Sequence, residues 1–296
     1  MTSTLQSSRL GSTFFAEISG LELSQKPTAE TMLWLSRALV EHKVLLFRNQ
    51  QLTTDQYARF GRQWTGSTRI DGFTEMNVAP YDDINRVGND GALFENEDYR
   101  NGAAFWHTDC AAEPDPDATT MLYCIHAMAE GGETVFADMQ AAYEQLDTET
   151  QRNIAELSGL HCYAGAKQIL GEKDAWEHNL TPVTEATQVA LPDPIKRPLV
   201  RRHSITGKYS LYGPAGSMFA IENMQLEAAN SLMGKLKTHA TEERFCYAHK
   251  YQPGDLVMWD NSCLIHHASK VGAPRNSDDK RLMYRICATG VPASLA

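Results

Sequence analysis

Apolar residues recur at helical spacing in separate parts of the chain, and each such stretch predicts an amphipathic helix. The first runs from Thr28 to His42. The last runs from Met224 to His239, where a stripe of methionine and leucine is typical of a buried helix face. The run Thr53-Thr54-Asp55-Gln56 resembles a capping box, which predicts a helix from there through Trp64. Two short helices are expected between Asp138 and Leu157.

Short β-favouring runs separate these helices, and some alternate with polar residues as strands with one buried face do. Strands are predicted over residues 44–47, 105–109, 118–128, 245–251, 256–259 and 282–289. No internal repeat, low-complexity stretch or domain boundary interrupts the pattern. The sequence therefore predicts one domain over residues 1–296, mainly β with flanking helices.

Two long segments are polar and lack clear periodicity. Residues 71–104 are rich in glycine, aspartate and asparagine, and residues 168–197 are interrupted by prolines. Unstructured segments of this length in a compact domain often serve as lids over a binding site. Both are predicted to be lid segments, and for the second a plain excursion over the surface is an equal alternative.

Charge and cysteine content narrow the function class. The 27 lysines and arginines face 37 aspartates and glutamates, a net charge of −10, which argues against nucleic acid as a partner. The six cysteines form no CxxC pair or disulfide framework and are expected to be reduced. No basic, apolar leader opens the chain, and no run reaches the roughly 20 apolar residues of a membrane span. We expect a soluble cytoplasmic protein and leave homo-oligomerisation open.

The strongest candidate chemistry is a metal site. In the triplet His107-Thr108-Asp109, residues two apart on an extended strand point to the same side, so the imidazole and the carboxylate converge. A second imidazole comes from His266 or His267, of which only one can face the metal, and the residues alone do not decide between them. Two imidazoles and one carboxylate suit mononuclear Fe(II) with open coordination positions. A zinc hydrolase is the alternative for the same ligands.

The remaining histidines lack an imidazole or carboxylate partner at ligand spacing. They are expected to be packed or solvated: His42, His126, His161, His178, His203, His239 and His249.

Two arginines supply a further pattern. Arg281 and Arg285 lie four apart in an alternating run that predicts a strand, so they share a face. A guanidinium that points into a cavity requires an anion, and its forked donors match a carboxylate. The alternative is a surface ion pair with Asp278 or Asp279.

Several motifs, in order, resemble the TauD/TfdA family of Fe(II)- and 2-oxoglutarate-dependent dioxygenases. They extend from the first predicted strands to the last, and their combination is far more specific than any one of them. The motifs are Ala16 to Leu23, His42 to Gln50, Trp106 to Asp109, Gly131 to Thr134, Phe136 to Met139, Trp259-Asp260-Asn261 with His266, and Lys280 to Arg285.

The resemblance implies a double-stranded β-helix (jelly-roll) core. It implies that His107, Asp109 and His266 bind Fe(II), and it favours His266 over His267 by its distance from Trp259-Asp260-Asn261. It also implies that Arg281 and Thr134 bind 2-oxoglutarate, and that Arg285 holds the anionic group of the substrate.

The substrate itself does not follow from the resemblance. Residues 210–218, at a position that lines the pocket in relatives, are mostly small and predict a roomier pocket. Ser217 in this segment, and Cys110 beside the metal triplet, are taken with Arg285 as candidate substrate contacts. The loop between His266 and Arg281 is longer than in the taurine enzyme.

The expected reaction consumes O2 and 2-oxoglutarate, releases succinate and CO2, and most simply hydroxylates a C–H bond of a small anionic molecule. Desaturation or cyclisation by the same chemistry is an alternative outcome. A catalytically silent domain that binds 2-oxoglutarate and metal is the alternative from another class.

Overall fold

The computed structural model describes residues 4–11, 13–65, 74–114, 117–162, 194–290 and 292–295. The described α-helices are α1 (Ala29–His42), α2 (Thr54–Thr65), α3 (Glu97–Arg100), α4 (Met139–Glu144), α5 (Thr148–Ile154) and α6 (Leu226–Ala240). Short 3-10 helices lie at Thr74–Met76, Ala92–Glu95, Glu243–Phe245, Ser277–Asp279 and Ala293–Leu295.

The strands lie before, between and after these helices along the chain. In the described residues they are β1 (Gln6–Arg9), β2 (Phe15–Ser19), β3 (Val44–Phe47), β4 (Asn85–Gly88), β5 (Asp117–His126), β6 (Thr134–Asp138), β7 (Ser158–His161), β8 (Ile195–Pro198), β9 (Val200–Arg202), β10 (Tyr209–Leu211), β11 (Met218–Ile221), β12 (Cys246–His249), β13 (Leu256–Asp260), β14 (Leu264–Ala268) and β15 (Leu282–Thr289).

The largest sheet has seven strands in the order β1-β2-β3-β13-β5-β15-β4. Its neighbours pair antiparallel, apart from the parallel pair β2 and β3. Smaller antiparallel sheets are β12-β6-β14, β11-β7-β8 and β10-β9. The fold is thus mixed α/β with several antiparallel sheets, which confirms the prediction of strands with flanking helices. Jelly-roll closure stays an expectation from the family resemblance.

The helix starts follow the polar signals in the sequence. The Thr28 hydroxyl accepts a hydrogen bond from the Thr31 amide at 3.1 Å and caps α1. Before α2, the Thr53 amide donates to the Gln56 side chain at 2.8 Å, and the Gln56 amide donates to the Thr53 hydroxyl at 3.3 Å. This reciprocal pair confirms the predicted capping box.

The alternation of side chains along β15 determines on which face of the sheet Arg285 lies. Ile286 and Ala288 pack into the apolar cluster that also contains helix residues Leu35 and Trp64. Met283 packs on the opposite side, in a cluster with residues of β6 and β13. Arg285 therefore projects from the Met283 side of the sheet, away from the helices.

One side chain of α2 joins two central strands of the large sheet. The buried Tyr57 hydroxyl lies 2.9 Å from the carbonyl oxygens of Met121 in β5 and of Tyr284 in β15, so its one hydrogen is shared between them. Helix α2 is thereby fixed to the middle of the sheet by polar contacts as well as apolar ones.

Two predictions are wrong in part. Residues 105–109 form no strand, since only His107 makes an isolated bridge there. Residues 74–101 are not merely loop, because β4 pairs with β15 at the sheet edge. The polar sequence of an edge strand hides it from an apolar pattern.

Only parts of the two predicted lid segments lie within the described residues. Residues 71–73 and 168–193 lie outside the described residues. The end of the first segment is hydrogen-bonded to the end of β14 and to the chain that follows it. The Ala268 amide donates to the Ala103 carbonyl at 2.8 Å, and the Val271 amide donates to the Asn101 side chain at 2.9 Å. A lid role for either segment stays a prediction.

Two compositional expectations can be compared with the structure. All six cysteines lie in the described residues, and none forms a disulfide. No helix in the described part of the chain has the length and apolar character needed to cross a membrane.

Candidate active site

The site is assembled around a backbone bridge between its two halves. His107 follows the polar segment after α3, and His266 lies in the middle of β14. The His107 amide donates to the His266 carbonyl at 2.9 Å, and the His266 amide donates to the His107 carbonyl at 2.8 Å. The two imidazole rings are 4.2 Å apart, centroid to centroid.

Asp109 completes the group. One carboxylate oxygen, Oδ1, lies 3.8 Å from His107 Nε2, and the other, Oδ2, lies 3.5 Å from His266 Nε2. One ligand atom from each of the three residues falls within 4.8 Å of the others. The structure therefore brings together the three side chains that the sequence singled out.

Hydrogen bonding sets the tautomer of His107. Its Nδ1 lies 2.7 Å from the Phe105 carbonyl, which can only accept. Nδ1 is therefore the donor in this contact, and Nε2 is the nitrogen that faces Asp109. An imidazole held in this way is ready to ligate a metal.

His266 is buried between aromatic rings. Trp259 lies 4.8 Å from it in an edge-to-face arrangement, and Phe136 lies 6.0 Å away. Burial lowers the pKa of His266 to about 3, with His107 adding to the effect. The ring is neutral at neutral pH, as a metal ligand must be.

His267 points away from the group. Its ring packs against Trp106 at 4.4 Å, and its Nδ1 contacts the Ala268 carbonyl. Since adjacent strand residues face opposite sides, β14 directs only His266 to Asp109. The choice that the residues left open is thus decided by the strand geometry.

The Asp109 carboxylate is buried and surrounded by donors. Burial alone would raise its pKa, but nearby imidazole and guanidinium groups and one hydroxyl outweigh burial, so the pKa is lowered. These groups belong to His266, His107, Arg285 and Thr120. A carboxylate and two imidazoles that face it through Nε2 form a donor set that fits a divalent cation such as Fe(II).

Arg281 lies in a separate, buried part of the site. Its Nε donates to the Gly132 carbonyl at 3.2 Å, and its guanidinium lies 6.0 Å from the Tyr251 ring. Among the described residues no carboxylate is within ion-pair distance of it. Asp279, which was an alternative partner, instead pairs with Arg275 at 3.0 Å. Burial lowers the pKa of Arg281, so an anion in this space would relieve the cost of burying its charge.

Thr134 adjoins Arg281 through an intermediate residue. The Tyr251 hydroxyl donates to Thr134 Oγ1 at 3.1 Å, and all three side chains are buried. Because Tyr251 supplies that hydrogen, the hydroxyl hydrogen of Thr134 is directed elsewhere. The predicted pair of Arg281 and Thr134 is thus joined by Tyr251, which the sequence did not indicate.

Arg285 lies beside the group formed by His107, Asp109 and His266. Its Nη1 is 3.9 Å from Asp109 Oδ1, and its Nη2 donates to the Asn85 side chain at 3.3 Å. The guanidinium therefore adds positive charge at the position where Asp109 meets the two imidazoles. Asn85 belongs to the strand that the sequence did not predict.

The other two candidate substrate contacts have different settings. Cys110 directly follows Asp109, is half-buried, and has φ 52°. Ser217 is buried, and its hydroxyl lies 3.0 Å from His161 Nδ1. Gly216, beside Ser217, packs so closely that an added Cβ would lie 2.9 Å from the His107 Cβ. The segment around Gly216 therefore adjoins His107, while the Ser217 hydroxyl is hydrogen-bonded to His161.

A second group of potential ligands consists of His203, Asp260 and Cys263. His203 Nε2 lies 2.8 Å from Asp260 Oδ2, while its Nδ1 accepts hydrogen bonds from the Ile205 and Thr206 amides. Both ring nitrogens are thus used within the protein. This buried pair was not foreseen, because its members are distant in sequence and His203 belongs to no motif.

Comparison with known proteins places these residues in context. The sequence matches the family model described as "Taurine catabolism dioxygenase TauD, TfdA family" over residues 6–287. An alpha-ketoglutarate-dependent 2,4-dichlorophenoxyacetate dioxygenase of Cupriavidus pinatubonensis is 29% identical over 268 residues, which cover 87% of this chain and 89% of that protein. An (S)-phenoxypropionate/alpha-ketoglutarate-dioxygenase of Sphingobium herbicidovorans is 30% identical over 293 residues, 96% of this chain and 95% of that protein.

A solved structure is similar along nearly its whole length. It is the crystal structure of AAD-2 in complex with Mn(II) and N-oxalylglycine, with a TM-score of 0.74 and 28% sequence identity. The match covers 97% of this chain and 98% of that one.

Proposed function

The chain belongs to the TauD/TfdA family of alpha-ketoglutarate-dependent dioxygenases, and from this premise we propose that it oxidises a C–H bond of a small anionic organic molecule. The simplest outcome is hydroxylation. The convergence of His107, Asp109 and His266 within 4.8 Å is the observation that carries the proposal.

In this proposal those three residues hold Fe(II). The donor set fits that ion, since both imidazoles are available through Nε2 and the carboxylate is ionised. Ferrous iron and 2-oxoglutarate, when both are bound, would activate O2, which is the oxidant: one oxygen atom would enter succinate as CO2 is released, and the other would enter the hydroxylated product. The protein's own contribution is to orient the groups and to exclude water from them.

Arg281 and Thr134 bind the distal carboxylate of 2-oxoglutarate. Arg281 is a buried cation whose side chain, within the described part of the chain, donates to the Gly132 carbonyl, and a carboxylate matches the other donors of the guanidinium. Thr134 accepts from Tyr251 and so has its own hydrogen available for that carboxylate. The same carboxylate would offset the cost of desolvating the guanidinium.

Arg285 binds the anionic group of the substrate. Its guanidinium lies 3.9 Å from Asp109, so an anion on it would sit beside the metal ligands. The relatives act on molecules whose names denote carboxylates, a phenoxypropionate and a dichlorophenoxyacetate. We include carboxylates and sulfonates in the proposed substrate class. Cys110 and the segment at Ser217 line the remaining space.

The fold that serves this chemistry is one domain with a jelly-roll core. The support is the match over residues 6–287 and the similarity to a solved relative over almost the full chain. Segments 71–104 and 168–197 act as lids in this proposal.

The test is succinate formation after anaerobic loading with Fe(II), followed by 2-oxoglutarate and air, across a panel of aryloxyalkanoates and alkyl sulfonates. We expect one or more acids to be consumed in step with succinate release. Binding of 2-oxoglutarate without any succinate, even slowly and without substrate, would show a silent binding domain instead. Turnover with zinc and no 2-oxoglutarate would show a hydrolase.

The role of Arg285 is tested by Arg285→Gln. Loss of a charge-assisted contact should raise KM for the substrate by about 10- to 100-fold. Arg86→Gln is the matched control, because Arg86 lies on the neighbouring strand β4 and donates to the Glu75 carbonyl. An unchanged KM in Arg285→Gln would rule out the anion contact.

A further inference from the structure

A chain of hydrogen bonds runs through the protein interior and ends on Asp109. Trp259 Nε1 donates to Asn261 Oδ1 at 3.0 Å, and Asn261 Nδ2 donates to Thr120 Oγ1 at 2.8 Å. Thr120 Oγ1 then donates to Asp109 Oδ2 at 2.7 Å. We propose that Thr120 and Asn261 are positioning residues, which fix the Asp109 carboxylate in the orientation that binds the metal. This inference rests on the proposed role of Asp109 as a ligand.

The direction of every step is fixed by the chemistry of the groups. An indole N–H can only donate, so the Asn261 oxygen faces Trp259 and its NH2 group faces Thr120. The Thr120 oxygen accepts that bond, which leaves its single hydrogen for the carboxylate. The other neighbour of this hydroxyl, Cys287 Sγ, is 3.9 Å away and a much weaker acceptor.

Burial makes this chain effective. Thr120 is 0% exposed, Asn261 1% and Trp259 2%, so water does not compete for these groups. A hydrogen bond to an ionised carboxylate is roughly twice as strong as one between neutral groups. Rotation of the Asp109 carboxylate would break this bond and deprive the buried Thr120 hydroxyl of its acceptor.

Asn261 also ties the two halves of the site together through its backbone. The Thr108 hydroxyl, between the first two ligands, donates to the Asn261 carbonyl at 3.1 Å and to the Leu264 carbonyl at 2.8 Å. Leu264 begins β14, the strand that carries His266. Asn261, which lies in the turn before β14, thus contacts Thr108 through its backbone and, through its side chain and Thr120, is linked to the Asp109 carboxylate.

The experiment measures the dissociation constant for Mn(II) from the EPR signal of the free ion, without 2-oxoglutarate or turnover. Thr120→Val keeps the shape of the side chain and removes the hydroxyl. We expect it to weaken Mn(II) binding by about 10- to 100-fold, the usual effect of losing a group that orients a ligand. Thr120→Ser, which restores the hydroxyl, should bind Mn(II) nearly as well as the wild-type protein.

Thr119→Val is the matched control. Thr119 is the neighbouring buried residue on β5, and its hydroxyl accepts from Trp64 Nε1 at 3.2 Å on the other face of the sheet. The same substitution there should lower the melting temperature and leave the Mn(II) dissociation constant unchanged.

Asn261→Ala tests the next step of the chain and serves if Thr120→Val fails to fold. It should also weaken Mn(II) binding. Wild-type affinity in a folded Thr120→Val or Asn261→Ala protein would overturn the inference and leave the proposed function intact. Absence of Mn(II) binding in the wild-type protein would overturn the metal site itself.

Discussion

His107 and His266 hydrogen-bond to each other through their main chains in both directions, at 2.9 and 2.8 Å. The two residues are distant in sequence, yet neither depends on a side-chain contact to reach the other. The distance between their imidazoles is therefore set by backbone pairing, and substitution of one ring should leave the other in place. The effect of substituting either histidine can therefore be attributed to the loss of that ring.

The first prediction concerns the adjacent histidines of β14. Mn(II) at about 100 times its dissociation constant should stabilise the wild-type protein by about 2.7 kcal/mol and raise its melting temperature. His266→Ala should abolish most of this rise, because the cation loses one of three ligands. Differential scanning calorimetry with and without Mn(II) measures the effect.

The control is His267→Ala, which removes an identical side chain that faces Trp106. It should keep the rise caused by Mn(II), even if its melting temperature without metal is lower. A rise lost in His267→Ala and retained in His266→Ala would mean that the wrong imidazole has been assigned.

The second prediction concerns the close approach of Gly216 to the site. A Cβ at this position would lie 2.9 Å from the His107 Cβ and 3.2 Å from its Cα, and the backbone has φ +66°. Gly216→Ala should therefore displace His107 and weaken Mn(II) binding by about 10-fold or more. Isothermal titration calorimetry measures the affinity.

Gly11→Ala separates the clash from the backbone strain. Gly11 has φ +71° and nothing within 4 Å of an added Cβ. It should lose about 1 kcal/mol of stability for the left-handed conformation and retain metal affinity. Equal loss of affinity in both variants would contradict a local effect on His107.

The third prediction concerns the Tyr251 hydroxyl. Tyr251→Phe removes the donor to Thr134, so the threonine hydroxyl can reorient and bind 2-oxoglutarate less well. A lost hydrogen bond of about 1 kcal/mol corresponds to a rise of about 5-fold in KM for 2-oxoglutarate. Steady-state succinate release, measured against 2-oxoglutarate concentration, gives this value.

Tyr123→Phe is the comparison. Its hydroxyl donates to the Gln50 carbonyl at 2.9 Å and accepts from the Leu52 amide, so it fastens the loop before α2. That variant should be less stable but show the wild-type KM for 2-oxoglutarate. If the two tyrosine variants have the same KM, Tyr251 does not act through Thr134.

The fourth prediction concerns acid stability. Burial lowers the pKa of His161 from 6.5 to about 3, with the charge of Arg197 contributing. Between these values the unfolded chain binds a proton that the folded protein does not, so stability falls as pH falls from 6.5 towards 3. His161→Gln should make this dependence shallower by about 1.4 kcal/mol per pH unit within the window. Urea unfolding across this pH range measures the slope.

Ser217→Ala removes the hydrogen-bond partner of His161 without removing the titrating ring. It should lower stability by a similar amount at each pH and preserve the slope. A wild-type slope in His161→Gln would show that other groups account for the acid dependence.

The sequence predicted more of the candidate site residues than of the residues that hydrogen-bond to them. Spacing of apolar residues predicted α1 and α6, and the capping-box run that begins at Thr53 predicted α2. The ligand triplet and the later histidine stood out because their residue types are chemically unusual in combination. The family resemblance then assigned a role to each arginine.

The features that the sequence did not predict depend on tertiary contacts, and such contacts leave no pattern in the local sequence. Thr120 is a β-branched residue in a strand, where threonine is ordinary, so nothing marked it as a partner of Asp109. The partnership of His203 with Asp260 depends on tertiary folding alone. The strand around Asn85 is polar because it lies at a sheet edge, and His107 reaches Asp109 from an isolated bridge and not from a regular strand.

Tyr57 stands apart from all of these groups, but its hydroxyl bonds to the carbonyls of Met121 and Tyr284. These are the immediate neighbours of Thr120 and Arg285. Helix α2, on the reverse side of the sheet, is therefore hydrogen-bonded both to the strand that carries Thr120 and to the strand that carries Arg285. Because Tyr57 is fully buried, its replacement by phenylalanine would remove this donor from the interior of the protein, one residue away from Thr120 and from Arg285.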